Sequence, residues 1–372
     1  MKYIVSGGGT GGHIYPALSI IAEIKKRDMT AEVLYVGKKG SLEEELTKKE
    51  GIPFEAVEVQ GLPRKKINKQ TISAIMALLK GLRQCDKIIK KFKPDIVIGT
   101  GGYVCAPVLL KAQQLGIMTV VQEQNAFPGK TNKLLSKRAE LVALNFEEAK
   151  KYLKYKKVIV TGNPIRADFN QIDKAKARRG YDIAEDEKFV LSFGGSGGQE
   201  STNDAILGIL KSDKEIDFKL YHVTGKVHYE NFMAQLKDTT LSDKVKIVEY
   251  SNEIPSLLMA SDLVIASSSA MTLAEISAVG VSSILIPKAY TAGNHQVYNA
   301  NSYKDKNAAK IILEENLNAQ TLYEEITSLL KDDSLRNVMA ENSKKLGNPQ
   351  AVEILLNEIE LLLNERKQKR KV

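Results

Sequence analysis

The 372-residue chain has no tryptophan, two cysteines and four histidines. Cys85 and Cys105 form no CxxC pair and have no histidine close in sequence. That excludes a zinc ribbon and a disulfide framework and suits a reducing compartment. None of His13, His222, His228 and His295 has metal-ligand spacing with another His, Cys or carboxylate, and no DxD pair sits on a loop. The expectation is therefore no metal and no cofactor. No stretch reaches 18 apolar residues, so nothing reads as a membrane span. The N-terminus runs straight into a strand-like KYIVS without a basic n-region, an apolar h-region or a small-residue cleavage site, which argues against a secretory signal. What is present is an ordinary globular composition, 43% hydrophobic and 27% charged, which excludes a disordered chain. The net charge of +9 is compatible with nucleic acid, anionic lipid or phosphorylated substrates.

Short β-branched runs alternate with amphipathic stretches. Strands are expected at Tyr3–Ser6, Glu32–Val36, Asp95–Ile98, Thr119–Gln122, Leu141–Ala143 and Val158–Val160, with helices such as Pro16–Lys26, Ser41–Lys49 and Ile72–Lys91 between them. The rhythm restarts after Lys188, with strands at Phe189–Phe193, Lys219–Val223, Lys244–Val248, Leu263–Ala266 and Ser283–Ile286. Each half opens with a strand running into glycines, first at Gly7–Gly12 and again at Gly194–Gly198. Such alternation predicts an α/β fold of two Rossmann-like domains on parallel sheets. A last helix is expected over Ala351–Asn364, before a basic tail.

The first loop contains GxGxxG as Gly7, Gly9 and Gly12, but the second strand ends Tyr35-Val-Gly-Lys-Lys39 with no acid to hold a ribose, which argues against NAD. The glycines still let backbone N–H groups approach an anion at a helix start. His13 closes this loop. The positive end of a helix dipole disfavours imidazolium and leaves a neutral ring able to accept a proton; a plain turn-capping histidine is the alternative. The second loop repeats the logic, with Ser196 adding a hydroxyl. Ser267-Ser-Ser-Ala-Met-Thr-Leu-Ala-Glu275 again places hydroxyls and N–H groups at a helix start, with Glu275 placed to accept from ribose hydroxyls or simply to complement the dipole. Gly293–Asn299 packs amides and a histidine that suit sugar hydroxyls. Thr100–Pro107 and Gln122–Gly129 follow strands and converge on the rim of the first glycine loop.

Charge concentrates between Leu62 and Lys93, where ten basic residues, among them Lys65, Lys66, Lys69 and Arg83, meet a single acid, Asp86. Apolar residues including Ile75 and Leu79 recur there at helical spacing. A basic rim around an apolar face is the pattern of an anionic membrane surface; a helix packed on its sheet with a solvated basic face is the alternative. Nucleic acid is not expected, since the cluster has no aromatic to stack on bases.

Together these motifs resemble one family, the MurG transferases of bacterial peptidoglycan synthesis. The resemblance rests on GGTGGH at Gly8–His13, GGYV at Gly101–Val104, EQN with a following PG and TNK at Glu123–Lys133, GNPIR at Gly162–Arg166, GGSGG at Gly194–Gly198, TLAE at Thr272–Glu275 and the amide loop around Gln296. It implies the GT-B fold: two Rossmann-like domains, a deep cleft between them, and a C-terminal helix returning to the first. The implied division is 1–163 with about 347–372 as the acceptor- and membrane-facing domain, and 164–346 as the domain that binds UDP-N-acetylglucosamine. The implied reaction is inverting transfer of N-acetylglucosamine to the 4-hydroxyl of undecaprenyl-diphosphate-linked muramyl-pentapeptide. Donor contacts carried over are Thr10, Gly11, Gly12, Asn125, Arg166, Ser196, Ser251, Thr272, Leu273, Glu275 and Gln296. Gly9, Thr10, Gly102 and Tyr103 would face the acceptor diphosphate. His13 is the candidate general base and Glu123 the alternative carboxylate. Lys65, Lys66, Lys69, Ile75, Leu79 and Arg83 would form the membrane face. The expected place is the cytoplasmic face of the cell membrane, held peripherally, with other cell-wall and division proteins as further partners. Many relatives have Arg-Ser/Ala-Gly where this chain has Ser267-Ser268-Ser269, Ile at Ser251 and Gln at His295. The residues alone leave a non-catalytic membrane-surface scaffold as the other reading.

Overall fold

A computed structural model describes residues 1–61, 69–165, 173–195 and 197–369. The chain divides into two compact units, one formed by Met1–Ile165 with Gln350–Val372 and the other by Arg166–Pro349. The first carries a seven-stranded sheet: β1 Lys2–Ser6, β2 Glu32–Lys38, β3 Phe54–Val57, β4 Ile96–Gly99, β5 Met118–Glu123, β6 Leu141–Leu144 and β7 Val158–Val160. The second carries six strands: β8 Phe189–Phe193, β9 Lys219–Val223, β10 Val245–Val248, β11 Leu263–Ala266, β12 Ser283–Leu285 and β13 Lys310–Ile311. Every pairing is parallel, in the orders β3-β2-β1-β4-β5-β6-β7 and β10-β9-β8-β11-β12-β13. Strand order therefore reverses between β1 and β4 in one sheet and between β8 and β11 in the other. The loops leaving those strands open the crevice in which doubly wound sheets bind ligands.

Strand burial follows the two-residue period of a sheet covered on both faces. Tyr3, Val5, Val33, Tyr35, Ile96 and Ile98 enter one apolar cluster, and Ile4, Leu34, Val36 and Val97 the other. The first face is closed by the helix Gly11–Arg27 and by the C-terminal helix Ala351–Lys369, whose Val352, Leu355, Leu356, Ile359 and Leu363 join the same cluster. Arg27 ties the two helices together, donating to Asn357 Oδ1 at 2.8 Å and to the Glu353 carbonyl at 3.1 Å. Each fully buried aliphatic side chain contributes about 1.5–3 kcal/mol, so the returning helix is an integral wall of the first unit.

Two strands departed from expectation. β3 has Glu55 and Ala56 exposed and lies at the sheet edge, so it carries no apolar run to read, and β13 is only two residues long. The first helix starts at Gly11, not Pro16. Glycine's poor helix propensity hides that turn in the sequence. Pro16 lies just beyond it, where its missing N–H forgoes one bond, to the Gly12 carbonyl.

Candidate functional site

In the first unit, β1 feeds Gly7–Gly9 into the helix at Gly11 with Thr10 as N-cap, and β4 feeds Thr100–Tyr103 alongside it. The two loops touch. Gly8 N–H donates to the Gly101 carbonyl at 3.3 Å, and Thr100 Oγ1 donates to the His13 carbonyl at 2.7 Å. A Cβ at Gly102, whose φ is +81°, would stand 2.1 Å from the Gly8 carbonyl oxygen, so only glycine permits this approach. From below, the Tyr35 hydroxyl donates to the Gly7 carbonyl at 2.6 Å, and the Cys105 thiol to the carbonyls of Ser6 and Gly101 at 2.9 and 3.0 Å. Burial pushes that thiol up to about 12, as it does for Cys85. Both sulfurs are inert packing atoms rather than nucleophiles.

His13 lies in the first helical turn, half-buried, and its Nδ1 faces two oxygens: the Thr100 carbonyl at 3.2 Å and Gln124 Oε1 at 3.0 Å. A carbonyl oxygen only accepts, so Nδ1 carries the proton and a neutral ring keeps its lone pair on Nε2. Gln124 cannot turn its amide over, because its Nε2 already donates to the Thr100 carbonyl and to Gln122 Oε1. Gln122 Nε2 in turn donates to Asn163 Oδ1 at 3.2 Å. Gln122, Gln124 and Asn163 are all buried, so this amide chain is a fixed support under the imidazole.

Glu123 lies between Gln122 and Gln124 at the end of β5. It is 1% exposed. One oxygen accepts from Asn125 N–H at 2.9 Å and Asn125 Nδ2 at 3.2 Å, the other from Gly129 N–H at 3.2 Å and Asn132 Nδ2 at 2.8 Å. Burial raises its pKa, while these four donors pull the other way. The carboxylate thus pins the segment from Asn125 to Asn132, with both oxygens engaged. Gly9, Thr10 and Gly12 are exposed around the loop, and the Thr10 hydroxyl makes no cap bond. The Tyr103 ring covers Gly9, at 3.1 Å from where a Cβ there would stand.

The second unit repeats the layout at its own switch point, with Gly194–Gly198 after β8 and Ser267–Ser269 after β11. Ser267 Oγ donates to the Gly194 carbonyl at 3.3 Å, joining the two loops. Ser269 caps the helix Ala270–Val279, accepting from Thr272 N–H at 3.3 Å. Ser268 Oγ donates to the Gln296 carbonyl at 2.8 Å, which brings Gln296 to the same group. Gln296 Oε1 accepts from Lys288 N–H at 3.0 Å, so its amide N–H groups are the ones left to meet a ligand oxygen. Glu275 is half-buried on the second turn of the same helix. Leu273 is committed to the core: its side chain is fully buried, its N–H donates to the Ser269 carbonyl and its carbonyl accepts from the Tyr303 hydroxyl at 2.9 Å. Ser251 follows β10 at the sheet edge, where its Oγ accepts from Glu253 N–H at 3.1 Å, and is not joined to the Ser268–Gln296 group. Arg166 and Ser196 lie outside the described residues, as do Lys65 and Lys66 and the side chain of Lys69. Gln122, Gln124, Lys288 and Glu314 were not singled out in the sequence; Gln122 and Gln124, inside the run Gln122–Gly129, had a local signal, and Lys288 and Glu314 had none.

A third feature lies on the helix Lys69–Phe92. Ala74, Gly81, Cys85 and Ile89 are buried, Cys85 and Ile89 within an apolar cluster of the first sheet, while Ile72, Ile75, Met76 and Leu79 are 60%, 48%, 64% and 55% exposed. Four large apolar side chains at that spacing form a continuous stripe in solvent. Arg83 and Lys87 are exposed farther along the same helix, Lys80 pairs with Glu58 at 2.9 Å and Lys90 with Asp86 at 2.7 Å. Among the described residues no helix is long and apolar enough to cross a membrane.

Two parallel Rossmann-like sheets, each with a glycine loop at its switch point, define the GT-B class of glycosyltransferase fold. The comparisons agree: residues 3–144 match the glycosyltransferase family 28 N-terminal domain and residues 189–355 the family 28 C-terminal domain. The UDP-N-acetylglucosamine--N-acetylmuramyl-(pentapeptide) pyrophosphoryl-undecaprenol N-acetylglucosamine transferase of Finegoldia magna is 45% identical over 98% of this chain and 99% of its own. The protein of the same name from Alkaliphilus oremlandii is 44% identical over 99% and 100%. The crystal structure of MurG from Acinetobacter baumannii superposes with a TM-score of 0.77 at 25% identity, covering 96% of this chain and 99% of the other. The chain belongs to this MurG family of N-acetylglucosamine transferases.

Proposed function

We propose that this chain moves N-acetylglucosamine from UDP-N-acetylglucosamine to the 4-hydroxyl of undecaprenyl-diphosphate-linked N-acetylmuramyl-pentapeptide, with inversion at the anomeric carbon. The observation that carries the chemistry is the His13 ring, whose Nδ1 proton is held by Thr100 and Gln124 so that Nε2 is the basic nitrogen. In the step, Nε2 takes the proton of the acceptor hydroxyl as its oxygen attacks the anomeric carbon, and the bond to the UDP oxygen breaks on the opposite face. Gly9, Thr10, Gly102 and Tyr103 take the acceptor diphosphate and Thr10, Gly11 and Gly12 also meet the donor, a reading supported by first-turn N–H groups and a helix dipole that favour negative charge at this loop. The second unit is the donor domain, with Glu275 on the ribose hydroxyls, Gln296 donating to the sugar, and Ser196 and Arg166 completing the contacts.

The acceptor's polyprenyl chain stays in the bilayer, so the enzyme has to come to it. The Ile72–Leu79 stripe and the basic residues from Lys65 to Arg83 are its anionic-membrane face, on the cytoplasmic side where the nucleotide sugar is available. Incubating the full chain with labelled UDP-N-acetylglucosamine and the lipid-linked acceptor in anionic vesicles tests the reading. The expected product is a β-linked disaccharide-pentapeptide lipid with release of one UDP per transfer. Release of UDP without a labelled lipid would overturn the acceptor assignment.

A further inference from the structure

Lys288 follows β12, half-buried, and joins parts of the second unit that are far apart in sequence. Its Nζ donates to the Gly198 carbonyl at 2.7 Å, and its backbone N–H donates to Gln296 Oε1 at 3.0 Å. The next residue, Ala289, donates its N–H to Glu314 Oε2 at 2.7 Å. Glu314 Oε1 accepts from Ser201 Oγ at 2.6 Å and from Gln199 Nε2 at 2.9 Å. Two consecutive residues thus tie together the glycine loop, the first turn of the helix Glu200–Leu210 and the helix that carries Gln296.

A neutral donor would satisfy the Gly198 carbonyl equally well. A lysine there costs desolvation, and burial does lower its pKa, with the Glu314 charge opposing. A partly buried ammonium whose hydrogen bond goes to an uncharged carbonyl keeps attraction to spare for an anion arriving at the loop. The glycine loop is such a place: among the described residues, a Cβ at Gly197 would meet nothing within 4 Å beyond its chain neighbours.

We propose that Lys288 is a positioning residue of the donor site, which holds the second glycine loop in register with Gln296 and sets a positive charge behind that loop for the diphosphate of the nucleotide. The proposal rests on the donor-domain reading above. Calorimetric titration of the full chain with UDP and, separately, with uridine tests it. Lys288→Met should weaken UDP binding about 10-fold or more while uridine binding changes less than about twofold. Lys288→Arg should restore most of the UDP affinity. Lys288→Gln keeps a donor for the Gly198 carbonyl without the charge and should lose UDP affinity as Met does, so it decides the matter if Met disturbs the fold. Unchanged UDP binding in Met and Gln overturns the proposal, and so does an equal loss of UDP and uridine, which would leave only loop anchoring. Absence of UDP binding in the parent overturns the donor reading itself.

Discussion

Replacing Gln124 by Met tests whether the support under His13 matters to the chemistry. The two side chains have similar length and volume, so the substitution removes hydrogen bonds with little change in packing. Three interactions go: the donations to the Thr100 carbonyl and to Gln122 Oε1, and the acceptance from His13 Nδ1. At about 1 kcal/mol net each, and about 1–3 kcal/mol more for Gln122 Oε1 then buried without that donor, stability should fall by about 4–6 kcal/mol. The ring keeps its bond to the Thr100 carbonyl at 3.2 Å, so the proton stays on Nδ1, but the imidazole loses one of its two oxygen anchors. Misplacement of a reacting group by about 1 Å costs on the order of 100-fold, so kcat should fall by about 10- to 100-fold. Because Gln124 is buried behind the imidazole and is not itself among the donor contacts, the KM for UDP-N-acetylglucosamine should stay within about twofold. Steady-state kinetics at a temperature where both proteins are folded, with a nitrogen-detected spectrum of the labelled imidazole, provides the assay. A kcat within twofold of the parent in a folded variant refutes the positioning argument. Loss of UDP binding along with kcat would instead mean that the damage is global.

Two other substitutions separate the remaining parts of the account. Glu275→Ala should raise the donor KM by about 10- to 150-fold, the equivalent of one charged hydrogen bond of roughly 1.5–3 kcal/mol, and an unchanged KM would remove Glu275 from the ribose. Ile75→Glu with Leu79→Glu puts two charges into the exposed stripe; the double variant should float free of anionic vesicles that the parent sediments with, while UDP binding in solution stays unchanged. Parent-like sedimentation would place the membrane contact elsewhere, with the basic tail as the next candidate.

The sheets were legible because most strands are short runs of apolar, aromatic or β-branched residues: Phe189–Phe193, Lys219–Val223 and Leu263–Ala266 inside the second sheet, and Val158–Val160 at an edge of the first, have the expected bounds. β3 was not, because an edge strand with exposed Glu55 lacks that pattern. The glycine loops announced themselves, since backbone that must approach backbone needs glycine whatever follows. The supports of the site were silent. Gln124 reads as one more polar residue until the fold brings Thr100 to it, and Lys288 is ordinary until Gly198, ninety residues earlier, lies under its ammonium. Sequence shows the Glu123 carboxylate but not the four donors that surround it. The apolar positions of Lys69–Phe92 had two readings in sequence, core or membrane; exposure of Ile72, Ile75, Met76 and Leu79 takes them out of the core.

The central claim, that His13 is the general base of a glycosyl transfer, is tested most directly by His13→Ala, measured for turnover with the lipid-linked acceptor and for UDP binding in the same preparation. The account predicts a kcat lower by about 10²–10⁴ with UDP affinity unchanged. A kcat within a few-fold of the parent, or a variant that loses UDP binding while turnover at saturating donor survives, would contradict it.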